Sequence, residues 1–484
     1  MSNAGTLRMQ VFDLASAIAR QEQLLDDMRT RLRELQSQLD SVIYPVLTLP
    51  PEITSEIFVY CLPAKRVWDV VNMEEAPLLL THICRAWRQI AIATPQLWTS
   101  LLIYRANSLL QLDEIVKTWF QRARKCPLSV SIHGCLVEIG AFHDFMKTFQ
   151  QHSQGMRSLE LQTGVGDFWA MDSHFLELPL LQKLSIRFLA QEEDLDDEND
   201  PVTMFNNVPM LHEVLMGEIP PSFIALPWQQ LTKFTGELYS VEYCLEALVL
   251  MPTIIECAFS VFGPENGGAD GLEVVSHPNL RHLTLFESMS DLGARATSPY
   301  ILTLLTLPAL QTLEIQGVED FDEVELNSFL LRSSPPLQKL AVRPLNLPGG
   351  TELQIDTPFT TLGLTELEIW YPYDDFIDLF FDYFGQVPSF LPQLQKLSFP
   401  GCRFEDREAD VGDILRVAAG PITKRRAILA GCAQLQSFHV VRETPRGAYL
   451  CMIYPENLLL PFRKLKASGM DVYIQVGTEK RSAV

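Results

Sequence analysis

The side chains that most often carry catalysis or hold metals are scattered along this sequence without the spacing that such chemistry requires. Its nine cysteines never occur as Cys-x-x-Cys, which argues against a structural zinc site and against a disulfide framework. Its nine histidines show no metal-ligand spacing. Gly164-Val165-Gly166 lacks the third glycine of a dinucleotide loop, and no P-loop, zinc-protease or serine-hydrolase motif occurs. The sequence therefore predicts no catalytic residue, no metal and no cofactor, and favours a protein that is not an enzyme.

The charged residues give the chain a strongly acidic balance. Sixty acidic and 38 basic residues produce a net charge of −22. Binding to a phosphate backbone needs a basic surplus, so we expect no nucleic-acid partner and favour basic or neutral protein partners. The acidic run over residues 192–200 lacks the glycine of a calcium loop. It favours a solvated loop, with a patch for basic partners as the alternative.

Composition and the N-terminus indicate a globular protein of a reducing compartment. Hydrophobic residues make up 47% of the chain, enough to build a core. The first residues lack the apolar core of a signal peptide. The most apolar long window, 244–262, contains Glu246, Pro252 and Glu256, which makes it a poor bilayer span. We expect a cytoplasmic or nuclear protein, or both, without membrane association.

The first element that these patterns predict is a coiled-coil helix over residues 7–44, ended by Pro45. Its apolar positions recur in alternating steps of three and four, which places them on one seam of a helix. The seam residues are Val11, Leu14, Ile18, Gln21, Leu25, Met28, Leu32, Leu35, Leu39 and Val42. A homodimer through residues 7–42, a different partner chain, and packing of the helix back onto the protein are the three ways to cover this seam.

A compact helical domain is predicted over residues 45–101. Pro51 suits the first turn of a helix, and a second helix is expected from Pro77 to the residue before Pro95. Two tryptophans and many aliphatic residues exceed what three short helices bury among themselves. Either a partner or the following domain must cover the remainder.

The same stretch resembles an F-box in three places. Residues 49–58, LPPEITSEIF, are similar to its opening; residues 83–91, ICRAWRQIA, to its second half; and residues 97–101, LWTSL, to its tryptophan-containing end. The segment 64–76 is longer than in most F-boxes. A short coiled coil followed directly by such a motif resembles the large F-box-like family of mushroom-forming fungi.

The resemblance implies a function for this region. An F-box docks onto the small adaptor protein of a cullin-based Skp–cullin–F-box ubiquitin ligase, and the rest of the chain then holds an unidentified target protein. Carried over by resemblance, the adaptor-binding residues are Leu49, Pro50, Ile53, Ile57, Phe58, Ile83, Cys84, Trp87 and Trp98. The alternative is a non-catalytic scaffold that bridges proteins through the coiled coil and the repeats, without ligase association.

A recurring motif, (Pro)-x-Leu-x-x-Leu-x-aliphatic, fills most of the remaining chain. Its anchors are Met156, Leu181, Leu211, Leu231, Ile254, Leu280, Leu310, Leu337, Leu364, Leu394 and Leu435. Most of the gaps fall in the range of leucine-rich repeats, with short strands after the anchors and helices between them. We therefore expect an α/β protein whose residues 105–480 form an irregular leucine-rich-repeat-like solenoid with a parallel sheet. The target and the face that binds it stay open.

Overall fold

The structure is a computed structural model of the 484-residue chain. It describes residues 3–40, 45–63, 72–104, 112–136, 142–174, 176–189, 201–261, 272–287, 298–318, 323–344, 363–370, 372, 374–402, 411–428, 432–442 and 455–475. The predicted features at Val42, in the loop 64–71 and in the acidic run 192–200 lie outside these residues.

The chain divides into two compact units. The N-terminal unit comprises Met1–Trp98 with Arg122–Arg124, and the sheet unit comprises Thr99–Gln121 with Lys125–Val484. The N-terminal unit contains the α-helices α1 (Asn3–Asp40), α2 (Pro51–Tyr60), α3 (Leu78–Ile83) and α4 (Arg85–Ala93), and the 3-10 helices Pro45–Thr48 and Pro95–Trp98. The long N-terminal helix is thus present, and it begins four residues before the predicted start.

Local sequence explains where the short helices begin and end. Pro51 occupies the first turn of α2, where its missing N–H removes no hydrogen bond, and Glu52 lies at the positive end of the helix. One predicted helix is in fact two, because Cys84 adopts an extended backbone between α3 and α4. The Cys84 sulfur accepts a hydrogen bond from the Trp87 amide and so serves as the N-cap of α4.

The sheet unit contains most of the strands and helices. The strands are β1 (Ser100–Tyr104), β2 (Leu128–His133), β3 (Met156–Thr163), β4 (Lys183–Phe188), β5 (Glu213–Gly217), β6 (Lys233–Tyr239), β7 (Glu256–Val261), β8 (Val275–Ser276), β9 (His282–Glu287), β10 (Leu305–Thr306), β11 (Thr312–Val318), β12 (Lys339–Pro344), β13 (Glu366–Ile369), β14 (Lys396–Cys402), β15 (Ser437–Arg442) and β16 (Asp471–Gln475). The α-helices are α5 (Leu112–Ala123), α6 (Phe142–His152), α7 (Val165–Asp172), α8 (Val241–Leu250), α9 (Ser298–Thr303), α10 (Glu323–Ser333), α11 (Asp374–Gln386), α12 (Val411–Ile428) and α13 (Glu456–Ala467).

Within the described residues, fourteen strands form one large parallel sheet. Their order in the sheet follows the chain from β1 to β16, and only β8 and β10 leave it to form a small parallel pair of their own. Each strand pairs with its neighbours in parallel, so each connection must carry the chain back to the same edge. The protein is therefore α/β with a long N-terminal helix and a large parallel sheet.

The anchors of the recurring motif have a common place in this sheet. Each is buried, and each lies two residues before a strand, except Met156, which begins β3. After the anchor, side chains alternate between the two faces of the sheet, as in Leu184 and Ile186 of β4, which point into the core. Helices pack on this apolar face: Phe381 of α11 contacts Phe399 of β14, and Phe462 of α13 stacks on Phe438 of β15.

Several local predictions needed correction. Strand β1 covers part of the stretch that was assigned to the end of the F-box, and pairs in register with β2. Between the anchors Leu280 and Leu310 the sequence predicts a helix over residues 300–306, but α9 ends at Thr303, because Leu305 and Thr306 form β10. Between the anchors Leu394 and Leu435 it predicts a helix over residues 411–418, but α12 runs ten residues further, through Pro421.

Candidate functional site

The core of the N-terminal unit is built around two aromatic rings. Phe58 of α2 is buried, and its ring lies 4.9 Å from that of Trp87 of α4, measured between centroids. Trp98 is fully buried and donates a hydrogen bond from its indole nitrogen to the Ala91 carbonyl at 2.9 Å. These side chains hold the short helices together, since none of the helices is long enough to be stable alone.

Helix α2 leaves an apolar face uncovered. Ile53 is 51% exposed and Ile57 is 43% exposed, one helical turn apart, and Tyr60 continues the same face. Thr54 and Phe58 point the other way and are buried. The helix therefore presents its aliphatic side chains to the outside, although an ordinary amphipathic helix would turn them inward.

Helix α3 repeats this arrangement. Leu79 and Ile83 are exposed, again one turn apart, whereas Leu80 and Thr81 are buried. The Arg88 side chain donates a hydrogen bond to the Thr81 carbonyl at 2.7 Å, which ties α3 to α4. We call Leu49, Ile53, Ile57, Leu79 and Ile83 the exposed apolar set. Side chains of this kind anchor protein interfaces when a partner removes them from water.

The sequence-predicted adaptor residues thus fall into three groups. Exposed to solvent are Leu49, Pro50, Ile53, Ile57 and Ile83, partly buried are Cys84 and Trp87, and buried are Phe58 and Trp98. The first group can meet a partner directly, whereas the last group supports the fold of the unit. Leu79 also belongs with the exposed residues, although the resemblance to an F-box does not assign it to adaptor binding.

The seam of α1 is also exposed. Along the described part of this helix, its apolar seam residues from Val11 to Leu35 all lie at the surface, with Leu25 the least exposed at 44%. Packing of the helix back onto the chain therefore does not cover these side chains. The side chains of Leu39 and Val42 lie outside the described residues.

The outer face of the large sheet differs from these apolar surfaces, because it carries a row of charged side chains that are paired with one another. Lys183, Glu213, Lys233 and Glu256 lie side by side on β4, β5, β6 and β7 and alternate in sign. Lys183 contacts Glu213, and the Lys233 ammonium lies 2.7 Å from a Glu256 oxygen. The hydrogen bond from Glu256 raises the pKa of Lys233 above its ordinary value. We call these four residues the charge row.

A second ionic cluster lies further along the same strands. The Arg187 guanidinium donates two hydrogen bonds to Glu237, at 2.6 and 3.1 Å, and a third to Glu160 at 3.1 Å. Gly217 of β5 lies in register between Arg187 and Glu237, and a Cβ there would come within 2.9 Å of the Arg187 side chain. The hydrogen bond to Glu237 raises the pKa of Arg187. Sequence reasoning missed this cluster, because Arg187 lies 27 positions from Glu160 and 50 from Glu237.

The glycine pair at Gly164 and Gly166 has a structural role. Gly164 precedes α7, and the buried Asp167 carboxylate accepts hydrogen bonds from the amides of Gly164 and Leu136, at 3.2 and 2.9 Å. A carboxylate therefore occupies the place where a phosphate would meet the amides of a nucleotide loop.

Two of the cysteines that the structure describes are protected from reaction by burial. Cys244 of α8 and Cys257 of β7 are fully buried. Burial raises the pKa of both thiols, which keeps them protonated near neutral pH. They act as small core side chains.

The basic stretch over residues 424–426 is in part internal. The Arg425 side chain is buried and donates hydrogen bonds to the carbonyl oxygens of Phe384, Phe390 and Leu391. It also lies over the Phe384 ring, with its guanidinium carbon 4.0 Å from the ring centroid. This residue fastens α12 to the end of α11 and to the loop that follows.

The described residues offer neither a candidate metal centre nor a candidate membrane span. They contain no cluster of three or more His, Cys, Asp or Glu side chains placed to hold a metal ion. Among the described helices, none has the length and apolar character that crossing a bilayer requires. No protein-family model matches the chain, and no curated protein matches it.

Proposed function

We propose that this chain is the substrate-recognition subunit of a cullin-based Skp–cullin–F-box ubiquitin ligase, with residues 45–101 acting as its F-box. The observation that supports this most is the exposed apolar set of the N-terminal unit. Ile53 and Ile57 lie on α2, Leu79 and Ile83 lie on α3, and Leu49 precedes α2. All five are exposed, and all but Leu79 fall in the segments whose sequence resembles an F-box. The adaptor protein would cover them. The reaction belongs to the assembled ligase, and the receptor contributes proximity by raising the effective concentration of its target.

The physical cost of leaving these side chains in water supports a permanent partner. Burying one aliphatic side chain is worth about 1.5–3 kcal/mol when it is fully withdrawn from water. Ile53, Ile57 and Ile83 are each about half exposed already, so each would contribute part of this value. Together with Leu49 and Leu79 they provide the aliphatic centre that a stable interface needs.

The sheet unit would hold the target as a leucine-rich-repeat-like solenoid. This is supported by strands that follow one another in chain order and by buried anchors at a recurring distance before them. Such an array extends by addition of similar units and offers one long outer face of strands. On that face the charge row and the Arg187 cluster are already internally paired, so recognition there would rest on shape and hydrogen bonds more than on net charge.

The test is a binding titration between the purified full chain and a purified ligase adaptor. The variant Ile53→Asp with Ile57→Asp places two carboxylates at the proposed interface, where burial of an unpaired charge costs several kcal/mol. We expect affinity to fall at least about 100-fold, since every 1.4 kcal/mol is tenfold. Val249→Asp is the matched control, because Val249 is an exposed aliphatic residue on a helix of the sheet unit, α8.

The outcomes separate the proposal from its alternative. Circular dichroism verifies that the double variant is folded, and Ile83→Asp on α3 provides an independent replacement if it is not. Adaptor binding that is lost in both variants and kept in Val249→Asp supports the receptor. Absence of binding by the unmodified full chain contradicts it and favours the scaffold, in which the same units bridge proteins without a ligase.

A further inference from the structure

The exposed seam of α1 identifies a second interaction surface, separate from the adaptor site. Its described members are Leu7, Val11, Leu14, Ile18, Gln21, Leu25, Met28, Leu32 and Leu35, and the apolar ones are all exposed. The strict alternation of three and four residues is typical of a left-handed two-stranded coil. We infer that α1 pairs with α1 of a second copy of this chain, parallel and in register. This inference does not depend on the proposed ligase function.

The composition of the seam favours two strands. In heptad terms, Val11, Ile18, Leu25, Leu32 and Leu39 occupy the a positions, and Leu7, Leu14, Gln21, Met28 and Leu35 occupy the d positions. In the N-terminal half, β-branched residues at a alternate with leucine at d. That combination packs best in a parallel dimer.

Gln21 decides the orientation of the two helices. In an antiparallel pair every d side chain packs against an a side chain of the partner, and all five a positions are apolar. Gln21 would then be buried without a hydrogen-bond partner in every antiparallel register, and in both chains. In a parallel pair without a register shift, Gln21 meets Gln21 of the second copy, and the two amides can bond to each other. A shift by one heptad would place it against Leu14 or Met28.

The flanking charges do not overturn this preference. Parallel pairing brings Ala17 beside Glu22 and Arg31 beside Gln36, so no like charges oppose each other. Antiparallel pairing with matched seams would bring Glu22 beside Arg29. These side chains are exposed, and an exposed ion pair contributes little, whereas a buried amide without a partner loses its hydration outright. The cost of burying Gln21 without a hydrogen-bond partner therefore exceeds the gain from the Glu22–Arg29 ion pair.

Parallel pairing has a consequence for the assembly. Both copies of α1 end at the same side of the coil, so the chain of each copy continues towards α2 from the same end. Two receptors, or the two halves of a scaffold, could then bind one target at the same time. The dimer would bind that target more tightly than a single chain does, because its two binding sites are joined.

Light scattering of the full chain tests whether the copies pair. We expect twice the chain mass of 54.8 kDa, and a return to the chain mass in Leu25→Asp with Leu32→Asp. Phe12→Asp is the matched control, because Phe12 is apolar and 72% exposed on α1 but lies off the seam, and it should keep the doubled mass. A monomeric unmodified chain, or a doubled mass that survives the seam variant, would overturn the inference.

Disulfide trapping tests the orientation. Under mild oxidation, Leu14→Cys should give covalent dimers, because residue 14 meets residue 14 only in the parallel pair, whereas the unmodified chain and Phe12→Cys report the background from native cysteines. Adding Gln21→Leu to Leu14→Cys should keep the doubled mass and lower the trapped fraction, since antiparallel pairing is then permitted. A doubled mass with no trapping above background would refute the parallel arrangement.

Discussion

The N-terminal unit and the outer face of the sheet differ in the side chains that they expose: unpaired aliphatic residues on the first and paired charged residues on the second. On α2 and α3 aliphatic residues such as Ile53 and Ile83 are about half exposed to solvent. On β4 to β7 the charge row pairs its side chains, and the Lys233 ammonium lies beside Glu256 on the adjacent strand. Among the described residues, the charge row thus has its partners within the chain, whereas the exposed apolar set keeps much of its surface in water.

This difference separates residues that maintain the fold from residues that remain for binding. Cross-strand ion pairs between exposed groups contribute little to stability, so the charge row mainly keeps a long sheet soluble and in register. The half-exposed aliphatic residues contribute less to the fold of the unit than buried ones do, and their exposed surface lowers solubility. Their presence on two neighbouring helices is understandable if they serve an interface.

The largest expected effect concerns neighbouring residues of α2. Phe58→Ala should destabilise the N-terminal unit by about 3–5 kcal/mol, because it removes a buried ring that packs on Trp87. Ile57→Ala, the matched control, should cost less than about 1 kcal/mol, because Ile57 is half exposed. Native-state hydrogen exchange of the α2 and α4 amides measures both. Similar losses in the two variants would mean that the inner and outer faces of α2 have been assigned wrongly.

The next effect tests the interior of the sheet unit. Arg425→Met should cost about 2–4 kcal/mol, because the carbonyls of Phe384, Phe390 and Leu391 lose a buried donor. Lys424→Met is the control on the adjacent, exposed position, and should be within about 0.5 kcal/mol of the unmodified chain. Urea unfolding of the full chain, followed by the fluorescence of the sheet unit, distinguishes them. Equal urea midpoints for Arg425→Met and Lys424→Met would show that the Arg425 side chain does not stabilise the sheet unit.

A smaller effect tests the Arg187 cluster. Gly217→Ala should destabilise the sheet unit by about 1–3 kcal/mol, because its Cβ would lie 2.9 Å from the Arg187 side chain and force the cluster apart. Gly166→Ala is the matched control, since its Cβ meets nothing within 4 Å and alanine favours the helix. Thermal unfolding should therefore shift down for the first variant and slightly up for the second. An unchanged unfolding temperature in Gly217→Ala would indicate that the neighbouring strands can shift to accommodate the added Cβ.

The smallest effect concerns the charge row. Lys233→Met should cost at most about 1 kcal/mol, because both partners of the Lys233–Glu256 pair are more than a third exposed. The pKa of Lys233 is raised by its hydrogen bond to Glu256, so its contribution is fully present below its ordinary pKa of 10.5 and is lost as the pH rises through the raised value. The difference in unfolding free energy between variant and parent should thus stay constant up to about pH 10 and shrink as the pH rises above 10.5. If the difference in unfolding free energy between Lys233→Met and the unmodified chain grows as the pH rises, the prediction is wrong.

Much of the fold follows from local sequence. The heptad seam predicts α1 because its spacing is a property of one helix, and the anchors precede strands because proline and leucine recur where helix gives way to strand. Strand β1 was missed because Ser100–Tyr104 follows the tryptophan motif without a turn signal. The break at Cys84 was missed because cysteine rarely caps a helix.

The candidate site was harder to predict, because exposure is a tertiary property. Ile57 and Phe58 are adjacent and equally apolar in sequence, and only the packing of Trp87 decides which of them is buried. Leu79 is exposed whereas the adjacent Leu80 is buried, and only the packing of α3 in the folded unit distinguishes these two leucines. The Arg187 cluster needs the register of β3 to β6, which the sequence of no single strand contains.

Hydrogen–deuterium exchange of the full chain, with and without the ligase adaptor, tests the central claim most directly. We expect slower exchange over Pro51–Tyr60 and Leu78–Ile83, where the adaptor would cover the exposed apolar set, and unchanged exchange in the strands from β4 to β7. Protection confined to the sheet strands, or no protection at adaptor concentrations that saturate other receptors, would contradict it.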